Sequence, residues 1–360
     1  MTVRTWVDGG VGRIELDRQE ALNALDHDMV RRLHEVLTSW RTDEAVGTVV
    51  VTGAGRAFCA GGDVRSARDA VLDGRHDAAE RYFVDEYALN RLVAEYPKPY
   101  VAVLDGVTMG GGLGVSVHGD VRVVTDRSLL AMPETALGFA TDVGMTYAFS
   151  RLDGDPAGAV GRYLALTGAR VGAADALALG LATHYVPTEE AGDLVEALIR
   201  DGLTALDRRA RRPAEGATLT GAIRDAVEGD FAGEGAEEIL ARLDARAGTD
   251  SPAARWAAET AATLRAACPT SLVTVLELLA AARSSPLADC LERETRAASW
   301  LIGRPDFAEG VRAVLVDKDR TPTWSPSDLA EVDVAEVRGV LGAGARPDHP
   351  VASSRPVQAP

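Results

Sequence analysis

The chain has 360 residues, and its 38 basic and 54 acidic side chains give a formal net charge of −16. This acidic balance argues against a general affinity for nucleic acid or anionic membrane, although a few local cations can still hold an anionic small molecule. Hydrophobic residues make up 46% of the chain, so it can bury a large core without disulfides or metals. The three cysteines, Cys59, Cys268 and Cys290, are too scattered for a disulfide framework or a zinc site, and we expect reduced thiols and no metal.

The first residues, Met1 to Trp6, lack the apolar core of a signal peptide and the Arg/Ser-rich character of a transit peptide. No apolar run reaches the roughly 18 residues that a membrane span needs. The sequence therefore predicts a cytoplasmic protein with neither a membrane nor a nucleic acid among its partners.

Strand and helix signals alternate through the first half of the chain. Val11–Leu16 has the period-two pattern of a half-buried strand, and Asp26 is a candidate N-cap for the amphipathic helix that follows. The β-branched run Thr48–Thr52 predicts a strand buried on both faces, and the segments 101–104 and 121–124 repeat that pattern. Strand, turn and helix continue to about residue 187, which indicates an α/β fold built from parallel units.

The second half of the chain differs in character. Residues 189–302 are rich in Ala, Leu, Arg and Glu, and apolar residues such as Leu194 and Leu198 recur at helical spacing. We therefore predict an α/β core over residues 1–188 and a mostly helical region over residues 189–340. Residues 341–360 contain four prolines and few large apolar residues, so we expect a disordered tail.

Two motifs resemble known sites only in part. The run from Val49 to Phe58 begins like a dinucleotide fingerprint, but Phe58 occupies the place of the third glycine. The run Gly114-Val115-Ser116-Val117-His118 approaches a nucleophile elbow but ends in His118 where glycine belongs. Ser116, His118 and Asp120 are too close in sequence to converge easily as a triad, and we interpret His118 as structural.

Two glycine-rich turns are stronger candidates, because each follows a predicted strand. The first contains Ala60-Gly61-Gly62-Asp63, and the second contains Gly110-Gly111-Gly112. Bare backbone lets main-chain N–H groups approach a ligand atom closely, and two such turns can converge on one oxygen. A third segment, residues 131–144, carries the carboxylates Glu134 and Asp142 among small and apolar residues, where burial would raise their pKa values. Taken alone, either glycine-rich run is better explained as a tight turn or close helix packing, and the carboxylates can be either capped structural groups or groups poised for chemistry.

In this order and at these separations, the three segments resemble the crotonase (enoyl-CoA hydratase/isomerase) superfamily. The resemblance implies a spiral of ββα units with a C-terminal helical region, and an acyl-CoA thioester as substrate. It also implies that the amides of Ala60 and Gly111 form an oxyanion hole for the thioester carbonyl. Around that hole it implies substrate contacts from four further residues: Gly61, Gly62, Asp63 and Gly110.

Within the superfamily, the chain resembles the 3-hydroxyisobutyryl-CoA hydrolases, a subfamily of valine catabolism. The matching segments include Lys98–Ala102, Ser116–Gly119, Pro269–Leu272 and Asp306–Asp319, so the resemblance covers nearly all of residues 5–335. Glu86 falls on a substrate-contacting glutamate of that subfamily. The resemblance implies that Glu134 and Asp142 are the catalytic carboxylates and that no cofactor is needed, because CoA is part of the substrate.

One departure separates hydrolase from hydratase. Hydratases place a glutamate shortly after the triple glycine, and the matching position in this chain is Gly114. We therefore expect a thioester hydrolase, with an enoyl-CoA hydratase or isomerase as the alternative. A second departure leaves the acyl group open, because Ala140-Thr141 and Met145 replace residues that are usual around Asp142 in the subfamily.

Other features of the expected enzyme stay open at the level of sequence. Glu134 can act as a nucleophile or as a base for water, and the residues do not decide between these routes. Arg56, Arg65 and Lys318 are candidate partners for the CoA phosphates, although each one taken singly is better explained as an ordinary surface charge. The family commonly forms homo-oligomers, but the added helical mass can cover the same surface. An RNA-binding role is disfavoured, because aromatic residues make up only 5% and the charge balance is acidic.

Overall fold

The structure is a computed structural model that describes residues 2–209, 211–233 and 235–342. The strands are β1 (Val3–Asp8), β2 (Val11–Leu16), β3 (Thr48–Gly53), β4 (Ala57–Cys59), β5 (Tyr100–Leu104), β6 (Val107–Met109), β7 (Val121–Val124), β8 (Leu129–Ala131) and β9 (His184–Tyr185). The α-helices are α1 (His27–Thr42), α2 (Val64–Leu72), α3 (His76–Ala94), α4 (Gly111–Gly114), α5 (Met145–Phe149), α6 (Ala159–Thr167), α7 (Ala173–Ala178), α8 (Ala191–Asp201), α9 (Thr204–Arg209), α10 (Gly221–Asp230), α11 (Ala236–Ala247), α12 (Ala254–Ala266), α13 (Pro269–Ala282), α14 (Leu287–Ile302), α15 (Pro305–Val311) and α16 (Val334–Gly342).

The described strands form two sheets, and both are built by the first half of the chain. One has six strands in the order β1-β2-β3-β5-β7-β9, and the other has three in the order β4-β6-β8. Only β1 and β2 pair antiparallel, and the remaining pairs between the described strands are parallel. Each turn of the chain gives one strand to the large sheet and the next to the small sheet, as in β3–β4, β5–β6 and β7–β8. This is the predicted spiral of ββα units.

The valine-rich strands are buried on both faces, as their sequences predict. In β3, Val49 and Val51 pack into the main hydrophobic core, whereas Val50 faces a second cluster that includes Leu194 and Leu198 of α8. Such alternation follows from the two-residue period of a strand. The predicted cap also forms, because Asp26 accepts a hydrogen bond from the Met29 amide at 2.8 Å.

The helical second half packs against the spiral and shares its core. The main hydrophobic cluster runs without a break from Ile14 and Leu16 of β2 to Leu301 of α14 and Phe307 of α15. Helix α14 lies against α3, and α15 packs on both α2 and the 3₁₀ helix Glu134–Leu137. The C-terminal helices therefore form part of the wall around the segment that carries Glu134.

The predicted disordered tail begins too early, because residues 341 and 342 complete helix α16, where Leu341 is 7% exposed. Its apolar side chain gains from burial against the core. The remainder of the predicted tail, residues 343–360, lies outside the described residues.

Among the described helices, none is by itself long and apolar enough to cross a membrane. The pair α12 and α13 meets the length and composition test only when the two helices are joined across a bend of 107°.

Candidate active site

The glycine-rich helix α4 lies against one face of α3, and this contact organises the site. Glu86 and Asn90 are four residues apart on α3, so they project from the same face of that helix. Glu86 Oε1 lies 2.2 Å from the point that a Cβ on Gly111 would occupy, and Asn90 Nδ2 lies 2.6 Å from the equivalent point on Gly114. Any side chain at either glycine would collide with these groups. The absence of side chains at Gly111 and Gly114 therefore brings two buried polar groups directly against the backbone of α4.

Two main-chain amides from different turns of the spiral meet beside Glu86. The Gly62 nitrogen lies 3.3 Å from the Cβ point of Gly111, and Gly111 is the first residue of α4, where helical N–H groups have no intrahelical acceptor. Within the described part of the chain, neither amide has a hydrogen-bond acceptor. Gly62 and Gly111 thus present two free donors to one region, which is the arrangement that stabilises a developing oxyanion.

The prediction that Ala60 supplies one of these amides is wrong. The Ala60 amide donates to the Leu22 carbonyl at 3.0 Å. Two residues later, Gly62 forms a parallel bridge with Leu25, in which the Gly61 carbonyl and the Asp63 amide bond to Leu25. Because donors alternate in direction along an extended chain, the Gly62 amide points away from Leu25, and its nitrogen lies 3.3 Å from the Cβ point of Gly111. Donor direction, rather than glycine content, identifies the correct residue.

Glu134 begins the 3₁₀ helix Glu134–Leu137, and it lies over the turn that precedes α4. Its Oε1 is 3.0 Å from the Cβ point of Gly110, so the bare backbone of Gly110 makes room for the carboxyl group. The other oxygen, Oε2, is buried and has no hydrogen-bond partner among the described residues. Burial raises the pKa of Glu134 well above its ordinary value, and the nearby charges of Asp142 and Glu86 raise it further.

Asp142 supplies a second buried carboxylate to the same region. Its Oδ2 accepts a hydrogen bond of 2.7 Å from the Tyr87 hydroxyl, which projects from α3 next to Glu86. Burial raises the pKa of Asp142 to about 7, and the Tyr87 hydrogen bond partly offsets that rise. Burial also raises the pKa of Glu86 well above its ordinary value, with a further contribution from Asp142. The three carboxyl groups are therefore close enough for the charge of each to influence the others.

The turn that follows Asp142 is held under strain by groups from two other parts of the chain. Val143 has a φ of 51°, which a β-branched residue rarely adopts. His118 Nε2 bonds to the Val143 carbonyl at 2.8 Å, and Glu294 of α14 accepts the Gly144 amide at 2.7 Å and the Thr146 hydroxyl at 2.5 Å. Strained backbone of this kind persists only where the surroundings fix it, as at functional sites.

Glu294 is itself a perturbed acid. Burial raises its pKa to about 8, while the hydrogen bonds from Thr146 and Gly144 limit the rise. Neither Glu294 nor Asn90 was predicted from the sequence, because each is an ordinary polar residue within an amphipathic helical pattern. The one available signal was their position: each would face the core side of its helix, where an unpaired polar residue is unusual.

The remaining predicted site residues divide into those at the site and those committed elsewhere. Gly61 and Gly110 lie in the two turns, with the Gly61 Cβ point 3.8 Å from the Gly110 Cα. Substrate binding by Asp63 stays a prediction, and in the structure its carboxylate caps α2 through the Ser66 amide and pairs with Arg18 at 2.8 Å. Burial favours a higher pKa for Asp63, but these bonds outweigh it and lower the pKa below its ordinary value.

The three candidate cations all lie at the surface. Arg56, Arg65 and Lys318 are exposed, and Arg65 donates to the Leu315 carbonyl, which joins α2 to the chain after α15. Their exposure allows contact with an anionic ligand but does not single one out.

Ser116, His118 and Asp120 do not form a triad. The Ser116 hydroxyl donates to the Gly112 carbonyl at 2.7 Å, and Asp120 accepts the Tyr100 amide at 3.0 Å. With His118 bonded to Val143, each of the three side chains has a separate structural partner. Within the described residues, no group of three or more His, Cys, Asp or Glu side chains is arranged to hold a metal ion.

A cavity of about 810 Å³ lies on the other side of the strained turn. His118, Arg122, Arg151 and Leu287 are among its lining residues, whereas Glu86, Glu134 and Asp142 are not. This cavity is therefore separate from the region between the two free amides.

Comparison with known proteins agrees with this geometry. The sequence pattern that defines the enoyl-CoA hydratase/isomerase family matches residues 11–341. The chain is 38% identical over 335 residues to the mitochondrial 3-hydroxyisobutyryl-CoA hydrolase of Xenopus laevis, covering 90% of this chain and 84% of that protein. It is 40% identical over 327 residues to the mitochondrial 3-hydroxyisobutyryl-CoA hydrolase-like protein 1 of Arabidopsis thaliana, covering 88% and 80%.

Two solved structures are similar over almost their whole length. A carnitinyl-CoA dehydratase from Mycobacterium thermoresistibile has a TM-score of 0.87 and 41% identity, covering 96% of this chain and 98% of that one. An enoyl-CoA hydratase from Rhodobacter sphaeroides has a TM-score of 0.86 and 36% identity, covering 95% and 97%. Together with the spiral of ββα units and the paired glycine-rich turns, these matches show that the chain belongs to the enoyl-CoA hydratase/isomerase family.

Proposed function

We propose that this protein hydrolyses an acyl-CoA thioester, with 3-hydroxyisobutyryl-CoA as the preferred substrate. The proposal rests on one observation. The amides of Gly62 and Gly111, which have no acceptor among the described residues, lie close to each other and to the buried carboxyl group of Glu134. That combination suits a thioester carbonyl, whose oxygen becomes an oxyanion as the carbon is attacked. The choice of acyl group rests on the names of relatives that are 38% and 40% identical to this chain.

In the proposed reaction, the thioester oxygen accepts hydrogen bonds from Gly62 and Gly111. Glu134 then acts on the carbonyl carbon by one of two routes. Either its carboxylate attacks directly, expels the CoA thiolate and leaves a mixed anhydride that water cleaves, or it removes a proton from the water that attacks. Both routes consume one water and yield a carboxylic acid and a free thiol. Asp142 and Glu86 orient the water or the acyl group, and no cofactor takes part.

Hydration of an enoyl-CoA is the second candidate, because the two similar solved structures are named as a dehydratase and a hydratase. Reversible addition of water is assigned in the family to a pair of carboxylates, and the second of these positions is Gly114 in this chain. Asn90 and Val143 occupy the space beside Gly114. This arrangement favours hydrolysis over hydration.

Thiol release distinguishes the two reactions. With 3-hydroxyisobutyryl-CoA, we expect one thiol per substrate consumed, trapped by a disulfide reagent, together with free 3-hydroxyisobutyrate. A hydratase would instead change the enoyl absorbance of a 2-enoyl-CoA without releasing thiol. Consumption of the enoyl ester with no thiol from any 2- or 3-hydroxyacyl-CoA in a small panel would overturn the proposed hydrolysis.

The raised pKa of Asp142 predicts an unusual pH profile. Thiol release needs the ionised forms of Glu134 and Asp142, so kcat/KM falls as the pH decreases through the pKa values of this interacting pair, which burial raises, that of Asp142 to about 7. Replacement of Tyr87 by phenylalanine removes the hydrogen bond that stabilises the ionised form, so the acidic limb of the profile should move to higher pH. The profile is measured as kcat/KM for thiol release between pH 5 and pH 9.

Tyr96→Phe is the matched control, because the Tyr96 hydroxyl bonds to the Leu37 carbonyl and not to a carboxylate. Its acidic limb should coincide with that of the unmodified protein. A limb that stays in place or moves to lower pH in Tyr87→Phe would assign the acidic limb to Glu134 alone and contradict the need for ionised Asp142.

Three further features of the proposal rest on fewer observations. Contacts from Arg56, Arg65 or Lys318 to the CoA phosphates are supported by the exposure of these side chains. A cytoplasmic location also stays a prediction, since the names of the two relatives above include the word mitochondrial. Homo-oligomer formation is likewise a prediction.

A further inference from the structure

Asn90 is a buried polar residue whose hydrogen-bonding capacity is unused. It lies on α3, its side chain is 0% exposed, and neither Oδ1 nor Nδ2 has a partner among the described residues. Leaving a buried amide unpaired costs free energy, so nearly all such groups in folded proteins bind protein, water or a ligand. We therefore expect the carboxamide of Asn90 to bind a partner other than the described residues, such as a water molecule or a ligand.

Other unpaired atoms lie close to Asn90 and indicate where that partner binds. Glu86, one helical turn earlier on α3, has an unpaired Oε1 against Gly111, and Glu134 has an unpaired Oε2. Asn90 itself lies against Gly114 and next to Val143, the residue that follows Asp142. All of these atoms surround the same stretch of α4, which also carries the Gly111 amide. These polar atoms without a hydrogen-bond partner thus border the substrate region and not a remote part of the core.

The spacing along α4 relates Asn90 to a particular part of the substrate. Gly111 contacts the thioester oxygen in the proposed function, and Gly114 is three residues further along the helix, a rise of about 4.5 Å. That distance suits the reach of an acyl chain from its carbonyl to a substituent on C3. A hydroxyl group both donates and accepts a hydrogen bond, and at this place it would find a carboxamide on one side and a carboxyl oxygen on the other.

We propose that Asn90 is a specificity-determining residue, which binds the 3-hydroxyl of the acyl group together with Glu86. The hydroxyl accepts a hydrogen bond from the Asn90 carboxamide and donates one to Glu86 Oε1. This assignment rests on the proposed hydrolase function. It implies that the enzyme prefers hydroxyacyl-CoA over the same ester without the hydroxyl, because a substrate lacking it leaves two buried polar groups unpaired.

The test compares 3-hydroxyisobutyryl-CoA with isobutyryl-CoA, which differs only by the hydroxyl. The measured quantity is the ratio of the two kcat/KM values for thiol release. In Asn90→Leu, which keeps a similar size but cannot hydrogen-bond, this ratio should fall by roughly 10- to 100-fold. Asn90→Ala removes the carboxamide and adds neither bulk nor charge, so the ratio should fall there also.

Ser116→Ala provides the control, since Ser116 is equally buried but donates within its own segment to the Gly112 carbonyl. Its ratio should match that of the unmodified protein. A fall in both kcat/KM values that leaves the ratio unchanged in the Asn90 variants would mean that Asn90 only supports the fold or orients water, and the proposal would be wrong. Melting temperatures of all variants identify any that fail to fold, and Asn90→Ala then decides if Asn90→Leu is lost.

Failure of the proposed function has a different signature. If the unmodified protein releases thiol from neither ester, hydrolysis itself is wrong. The Asn90 assignment is then decided by binding: calorimetry with Glu134→Gln protein should give tighter binding of the hydroxy ester than of isobutyryl-CoA, and Asn90→Leu should remove that difference. Equal affinities of the Glu134→Gln protein for both esters overturn the assignment.

Discussion

Glu134→Gln should lower the turnover number for thiol release by at least about 1,000-fold. Glutamine has nearly the same shape as glutamate, so it fits beside Gly110, but it can neither attack the thioester nor take a proton from water. The two amides at Gly62 and Gly111 are unaffected by the change, and substrate affinity should stay within a few-fold. The measurements are steady-state thiol release and calorimetric binding of the CoA ester.

Glu95→Gln is the control for this substitution, because Glu95 is an exposed member of a surface ion pair with Arg91. It should leave turnover unchanged. Retention of more than about a tenth of the turnover in Glu134→Gln would exceed what a lost nucleophile or base allows, and would remove Glu134 from the chemistry.

The unmodified protein can also separate the two chemical routes. In a single turnover in ¹⁸O-water, with enzyme in excess, attack by Glu134 forms an anhydride. If water then attacks at the Glu134 carbonyl, the ¹⁸O stays on that carboxyl group and appears in the peptide that contains it. If Glu134 is a base, all of the label enters the released acid. Attack of water on the acyl side of an anhydride would also place the label in the released acid. Label in the peptide is therefore the decisive result for the nucleophilic route.

Gly114→Glu is expected to destabilise the protein severely and to create no hydratase. The first side-chain atom would lie 2.6 Å from Asn90 Nδ2 and 2.7 Å from Val143 Cβ, so both would have to move. The new carboxylate would also be buried near Asp142 and Glu86 without a cation. We expect a loss of more than about 3 kcal/mol in the free energy of unfolding. Denaturant titration measures the loss, and enoyl absorbance tests for hydration.

Gly192→Glu is a suitable comparison, since a Cβ at Gly192 in α8 meets no atom within 4 Å. It should change the unfolding free energy by less than about 1 kcal/mol. A stable Gly114→Glu protein that hydrates a 2-enoyl-CoA would show that position 114 alone separates the two activities, and that Asn90 and Val143 do not exclude a carboxylate from this space.

Much of the fold was accessible from sequence, because the strongest signals are local. Val11–Leu16 and Val121–Val124 form strands with the predicted bounds, and Asp26 caps its helix. The three-residue strands β4, β6 and β8 were not predicted individually, since segments so short carry no periodicity. They are stabilised by neighbours on adjacent turns of the spiral, which a single sequence does not display.

The site shows the same division between local and long-range information. Glycine-rich turns and paired carboxylates are local features, and the family resemblance that they carry led to Glu134, Asp142 and Gly111. The choice of Gly62 over Ala60 depends on which amide donates a hydrogen bond to the carbonyl of Leu22, a residue 38 positions before Ala60 in the chain. The contact between Asn90 and Gly114 depends on how α3 crosses α4. Neither fact is encoded in the spacing of residues along the chain.

The link between Glu294 and Gly144 spans 150 residues and has consequences during synthesis of the protein. The acceptor of the Gly144 and Thr146 amides is therefore synthesised long after the turn itself, whereas His118 lies only 25 residues before Val143. Because the spiral and α14 contribute to one hydrophobic core, a chain that ends before α14 would lose both the Glu294 contacts and part of the packing around the spiral. The active-site turn thus depends on complete synthesis of the helical second half.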